Sequence, residues 1–219
     1  MLGLSKRTEL NNGSGKRIPK EKFYSKLDLS GSQERLFINQ IQSIKWTNKI
    51  SPESMNLSLS GGIQEIEVFE IVLKGDSIDE RLLKIIDRAI IHPILFIMRN
   101  DSKDCLYMAF KEMDDESNVS VKQYYSTTWG PKDGIVVDFS GLSTGELYKN
   151  IIIQISEGRL NDQDKDSDLS DLVTDDVEYQ KVLKEIQKLE DDVRKTSQPN
   201  KKLELVHELR DLKSKWGVE

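Results

Sequence analysis

Cysteine is almost absent: Cys105 is the one cysteine in 219 residues, so no internal disulfide forms, and no histidine lies near it in sequence to activate the thiol. Histidine is as scarce. His92 and His207 stand far apart in the chain and leave a Cys/His zinc site without enough ligands. No apolar run approaches the roughly 18 residues of a membrane-spanning helix. Residues 1–6 carry no apolar leader core, so a cytoplasmic protein with no membrane contact is expected. A phosphate loop is missing too, because Gly13-Ser14-Gly15-Lys16 lacks both the spacer and the preceding strand of that motif. No Ser/His/Asp arrangement is legible, and no dense basic stripe with interleaved aromatics runs along the chain.

What is present is charge, unevenly placed. The formal net charge is −6, yet residues 161–178 hold eight acids against one lysine, and the last 41 residues hold ten basic groups against eight acidic ones. Four divisions follow: a flexible basic arm over residues 1–19, an α/β body over 20–158, an acidic linker over 159–176 and a helical arm over 177–219. In the linker, alternating Asp162, Asp164, Asp166 and Asp168 resemble the start of a calcium loop. The closing residues fail, because Ser167 stands where that loop needs glycine and Val173 where it needs glutamate.

Within the body, residues 20–27 read as a short helix. A second, capped at Ser32, carries Leu36, Phe37, Ile41 and Ile44 on one stripe and is expected to stop near residues 43–46. Residues 63–73 form the clearest strand, apolar on both faces toward its end, as an inner strand would be. Ser77 and Glu80 predict a capping box ahead of a helix to Ile90, with Leu82, Leu83 and Ile86 buried. Strands over 94–98, 104–111 and 119–127 and a helix over 144–155 complete a mixed, mostly antiparallel sheet, with helices expected mainly on one side.

The acid-rich strand is the candidate for chemistry. Glu65 and Glu67 share a face, and with Asp87 they could hold Mg²⁺ for a metal-dependent nuclease if the fold brought them together. The bland alternative is surface or structural ion pairs. No catalytic residue and no cofactor are otherwise indicated. Glu70 sits among apolar neighbours and needs a donor, for which Arg81, Arg88 or Lys74 are candidates. Lys16 and Arg17 in the basic arm, and Trp129 in the Trp129-Gly130-Pro131 turn, are surface-contact candidates.

In the tail, Val182, Leu183, Ile186, Leu189 and Val193 make one stripe, and Leu203, Leu205, Val206, Leu209, Leu212 and Trp216 another. Pro199 interrupts the pattern, so the two helices are expected to fold back as an antiparallel hairpin. One stripe per helix buries little alone. Leu183, Ile186, Leu189, Leu205, Leu209, Leu212 and Trp216 are therefore expected to meet a further surface, with Trp216 as anchor.

Several segments together resemble an uncharacterised bacterial family of domains of unknown function. They are Ile18-Pro19-Lys20-Glu21-Lys22-Phe23-Tyr24, Ile44-Lys45-Trp46-Thr47-Asn48-Lys49, Gln64-Glu65-Ile66-Glu67-Val68-Phe69-Glu70-Ile71, Asp79-Glu80-Arg81-Leu82-Leu83 and, in the tail, Pro199-Asn200-Lys201-Lys202-Leu203-Glu204-Leu205. Relatives are often encoded beside helicases and DNA methyltransferases in restriction or phage-defence neighbourhoods. The resemblance implies a non-catalytic accessory or adaptor subunit docking on a larger ATPase or helicase, with any DNA contact indirect. The residues leave open two other readings: the nuclease, and a homodimer built on the hairpin.

Overall fold

The computed structural model describes residues 2–113, 119–160 and 167–218. The chain divides into two compact units, Met1–Arg159 and Leu160–Glu219. Among the described residues of the first unit, a seven-stranded mixed sheet runs β1 (Lys16–Arg17), β2 (Ile41–Ile50), β3 (Ile66–Leu73), β4 (Ile94–Arg99), β5 (Lys103–Met113) and β6 (Val119–Ser126) in spatial order, with β7 (Gly130–Pro131) paired to β5. Every pairing is antiparallel except β3 with β4. A parallel pair needs a crossover, and α4 (Glu80–Ala89) supplies it.

Helices α1 (Glu21–Leu27), α2 (Gly31–Gln40) and α4 cover one face. Phe23, Phe37, Leu82, Leu83 and Ile86 from these helices meet Phe69, Ile71, Phe96 and Met98 of the sheet in one buried cluster. Strand alternation sends Val68, Leu95, Leu106 and Met108 to the opposite face, where they are equally buried, and α5 (Thr144–Ile155) packs on β5 and β6. The sheet is thus covered on both sides rather than mainly on one. The short helix α3 (Pro52–Met55) follows β2.

Helix α2 starts two residues earlier than the sequence suggests. The Ser30 backbone N–H donates to Gln33 Oε1 at 2.9 Å while Ser30 Oγ accepts from the Gln33 backbone N–H at 3.4 Å, a reciprocal cap. The larger difference is at its end. Ile41 and Ile44 belong to β2 and not to α2, although three-residue spacing suggests a helix. Bulges between Ile41 and Ser43 and between Trp46 and Asn48 each insert an extra residue, so Ile41 and Ile44 reach the same core.

The segment expected to be a flexible arm is folded onto the β2 edge. Leu10 N–H donates to the Thr47 carbonyl at 2.9 Å, Ile18 N–H to the Ile44 carbonyl at 2.9 Å, and Asn48 Nδ2 to Thr8 Oγ1 at 2.9 Å. Gly15 allows this approach: its φ is +67°, and a Cβ there would lie 2.9 Å from the Lys45 side chain and 3.0 Å from the Trp46 carbonyl oxygen. An edge strand's unpaired backbone groups attract such a segment whatever its side-chain pattern.

In the second unit, α6 (Leu169–Lys195) and α7 (Pro199–Trp216) fold back on each other as the tail periodicity predicts. Helix α6 begins at Leu169, inside the stretch expected to be linker. Asp168 accepts from the Ser170 N–H at 2.8 Å as its cap, and Asp171 lies in the first turn, where negative charge opposes the helix dipole favourably. Residues 161–166, with Asp162, Asp164 and Asp166, lie outside the described residues. Pro199 opens α7 rather than merely ending α6, and Gly217, at φ +63°, closes it. Among the described residues no helix is long and apolar enough to cross a membrane.

Candidate functional site

The pleat of β3 divides its carboxylates. Glu67 shares a face with Phe69, while Glu70 points to the other side beside Lys45, its partner across β2. Glu65, just ahead of the strand, pairs with Lys49 and lies 3.1 Å from His92 Nε2 through its Oε1. Burial opposes charge on Glu65, but hydrogen bonding from Lys49 and the nearby His92 and Glu67 leave its carboxyl below the ordinary value. Glu67 is 4% exposed; burial first, then the charge of Glu65, pushes its carboxyl up to about 7. The result is one ionised carboxylate beside one acid that titrates near neutrality.

Asp87 does not join that pair. It projects from α4 into the core, where its Oδ1 lies 2.8 Å from Lys111 Nζ and its Oδ2 accepts from the Tyr124 hydroxyl. Lys111 Nζ also donates to the carbonyls of Ile90, at 3.0 Å, and His92, at 2.7 Å. Burial raises the Asp87 carboxyl and lowers the Lys111 ammonium, and their mutual attraction opposes both shifts. Among the described residues, no group of three or more His, Cys, Asp or Glu side chains is placed to hold a metal ion. The trio Glu65, Glu67 and Asp87 is therefore a pair plus a separate structural ion pair.

Glu70 finds a donor, but not one the sequence suggested. Arg99 Nη1 lies 3.1 Å away and Lys45 Nζ 4.0 Å away, while Arg99 Nη2 reaches Asp104 at 3.2 Å and Asp133 at 2.5 Å. Lys74 instead donates to the Ile38 carbonyl and Arg81 pairs with Asp79. This network borders a groove of about 470 Å³ lined by Glu9, Lys45, Glu70, Arg99 and Asp133. Its opposite charges already compensate one another. Cys105 is buried, and burial pushes its thiol up to about 11, which leaves it unreactive.

Of the surface candidates, Lys16 and Arg17 are exposed on β1, whereas Trp129 is half-buried against the core below α1, α2 and α4. In the hairpin, Val182, Ile186 and Leu189 are buried, and Leu183, Leu205, Leu209, Leu212 and Trp216 are half-buried. Tyr179 and Trp216 pack with ring centroids 6.3 Å apart, and Lys213 pairs with Glu190 at 2.9 Å. No residue of α7 is buried, and Leu203 and Val206 are 60% and 41% exposed.

One feature escaped the sequence reading. The start of α2 and the outer face of α4 enclose a groove of about 550 Å³, with Ser30, Ser32 and Gln33 on one wall and Arg81, Lys84 and Arg88 on the other. The signal was the spacing of those cations, three and four residues apart opposite the buried stripe of α4, which places them on one helical face.

A family model described as "Domain of unknown function (DUF4391)" matches residues 7–215. No curated protein and no solved structure matches the chain.

Proposed function

We propose that this chain, which belongs to the DUF4391 family of domains of unknown function, is a non-catalytic accessory subunit that docks through its C-terminal hairpin on a larger partner. The observation that carries this is α7. It presents an amphipathic face to α6, yet none of its residues is buried, and Leu203 and Val206 project apolar surface into solvent. A helix gains most of its stability from packing such a face, so the arrangement is completed by a second surface. A non-catalytic role is supported by the engagement of the body's charges: Asp87 pairs with Lys111, and Glu70 pairs with Arg99, which also reaches Asp104.

The partner we propose is an ATPase or helicase of a cytoplasmic bacterial defence or restriction complex. The resemblance of the strand and tail segments to relatives encoded beside helicases and methyltransferases points to it. The test is affinity isolation of the full-length tagged chain from its native cell, in parallel with Leu203→Glu/Val206→Glu. Recovery of a stoichiometric ATPase with the unmodified chain and its loss with the variant is expected. Equal recovery by both removes the hairpin from docking, and a stable dimer of the isolated chain by light scattering replaces the adaptor with a self-assembling protein.

A further inference from the structure

We infer that the groove between α2 and α4 binds the phosphodiester backbone of duplex DNA directly, a contact separate from hairpin docking. Three cations, Arg81, Lys84 and Arg88, line one wall and no acid lines the groove. Arg81 is committed in part, because its guanidinium grips Asp79, the residue that caps α4. Lys84 and Arg88 are exposed and have no ion-pair partner among the described residues. They are the free charges of the site.

Helical rise sets them about 6 Å apart along α4. One strand of a duplex presents a phosphate about every 3.4 Å of axis, so a separation of about 6 Å is close to two steps, and two long, flexible basic side chains can each reach a separate phosphate of the strand. On the facing wall Ser30 and Gln33 Oε1 are engaged in the α2 cap, so the donors it offers to phosphate oxygens are the Ser32 hydroxyl and Gln33 Nε2, which do not read sequence. The nearest rows of charge do not cancel this: the acids of the two helices' first turns, Glu34 and Glu80, are not among the lining residues.

The lining also decides which nucleic acid fits. It contains no aromatic side chain, and single strands are held largely by stacking unstacked bases on aromatic rings. Leu36 and Ile85 form the apolar part of the lining, and the cations, the Ser32 hydroxyl and the Gln33 amide above them suit a regular backbone. Sequence-independent, salt-sensitive binding to duplex DNA is the corresponding behaviour.

The experiment uses full-length protein and a short fluorescent mixed-sequence duplex, with anisotropy followed across a salt titration. Lys84→Ala/Arg88→Ala is the test variant, with Arg81 kept so that the α4 cap stays braced; both residues are exposed and unchanged circular dichroism checks the fold. The expected result is a weaker affinity and a log–log salt slope flattened by about 1.8, two phosphate contacts at about 0.9 each. Lys16→Ala/Arg17→Ala is expected to leave the slope unchanged. The proposal is overturned if the α4 variant binds duplex like the unmodified chain, or if the β1 variant carries the loss instead. It is equally overturned if a single strand is preferred to the duplex, or if inorganic pyrophosphate or acidic vesicles bind through Lys84 and Arg88 while the duplex does not.

Discussion

Lys111 Nζ lies 2.8 Å from Asp87 Oδ1, and the two side chains are only 2% and 0% exposed, so an α4 carboxylate and a β5 ammonium neutralise each other inside the body. Two buried charges in contact cost more to separate than they gain by meeting, because each has lost its water. Lys111→Met strands the Asp87 carboxyl and is expected to cost about 3–5 kcal/mol in denaturant unfolding. Asp87→Asn/Lys111→Met, which keeps an acceptor for the Tyr124 hydroxyl, is expected to recover most of that loss. Equal destabilisation by the single and double variants would show that packing, not charge, dominates there.

Glu67 makes stability depend on pH near neutrality. Its carboxyl is raised from 4.5 to about 7 in the folded chain. Between those values the native state keeps a proton that the unfolded chain releases, so stability falls as pH rises through the window. The full shift would correspond to about 3 kcal/mol, and roughly half of that is expected because Lys49 and Glu65 readjust. Glu67→Gln should flatten the profile and be the more stable protein above neutrality, as read from unfolding midpoints on either side of the window.

Asp168 tests whether the acidic stretch starts a helix. As the cap of α6 it satisfies the Ser170 N–H at 2.8 Å. Asp168→Ala is expected to cost about 1 kcal/mol. The measurable consequence is faster amide exchange over the first turns of α6, with the α7 end of the hairpin unaffected.

The two sides of the hairpin separate stability from docking. Ile186 is 5% exposed, and Ile186→Ala is expected to cost about 2–4 kcal/mol, with fraying of α7 seen by hydrogen exchange. Leu203→Glu and Val206→Glu act on exposed positions and should leave unfolding within about 0.5 kcal/mol of the unmodified chain.

Where local pattern and burial coincide, the sequence was readable. Helix α5 spans Thr144–Ile155 as its apolar spacing indicates, and β3 and the seam of the hairpin follow from periodicity as well. Strand β2 was not readable, since its two bulges turn a two-residue period into three-residue spacings that mimic a helix. The basic arm differs from expectation for another reason: backbone groups of Leu10 and Ile18 tie it to the edge of β2, and backbone groups leave no trace in side-chain pattern. Among the described residues of the expected linker, only the end, from Leu169 on, is helix, because Asp168 caps α6 and Asp171 sits in its first turn, where acids are stabilising. At the candidate site, the Glu65/Glu67 pair is legible in the sequence, whereas the pairing of Glu65 with Lys49 and His92, and of Asp87 with Lys111, is not.

The sequence by itself determined the mixed sheet with its helices, the paired tail helices and the carboxylates of β3, because each rests on periodicities that neighbours in the chain already express. Tertiary structure alone decided which carboxylates are free. Strand register sets Lys49 across from Glu67, the α4 crossover delivers Asp87 to Lys111, and the approach of α2 to α4 gathers Arg81, Lys84 and Arg88 with Ser30 around one groove. Charge pairing and desolvation depend on distance in space, and residues remote in the chain set that distance.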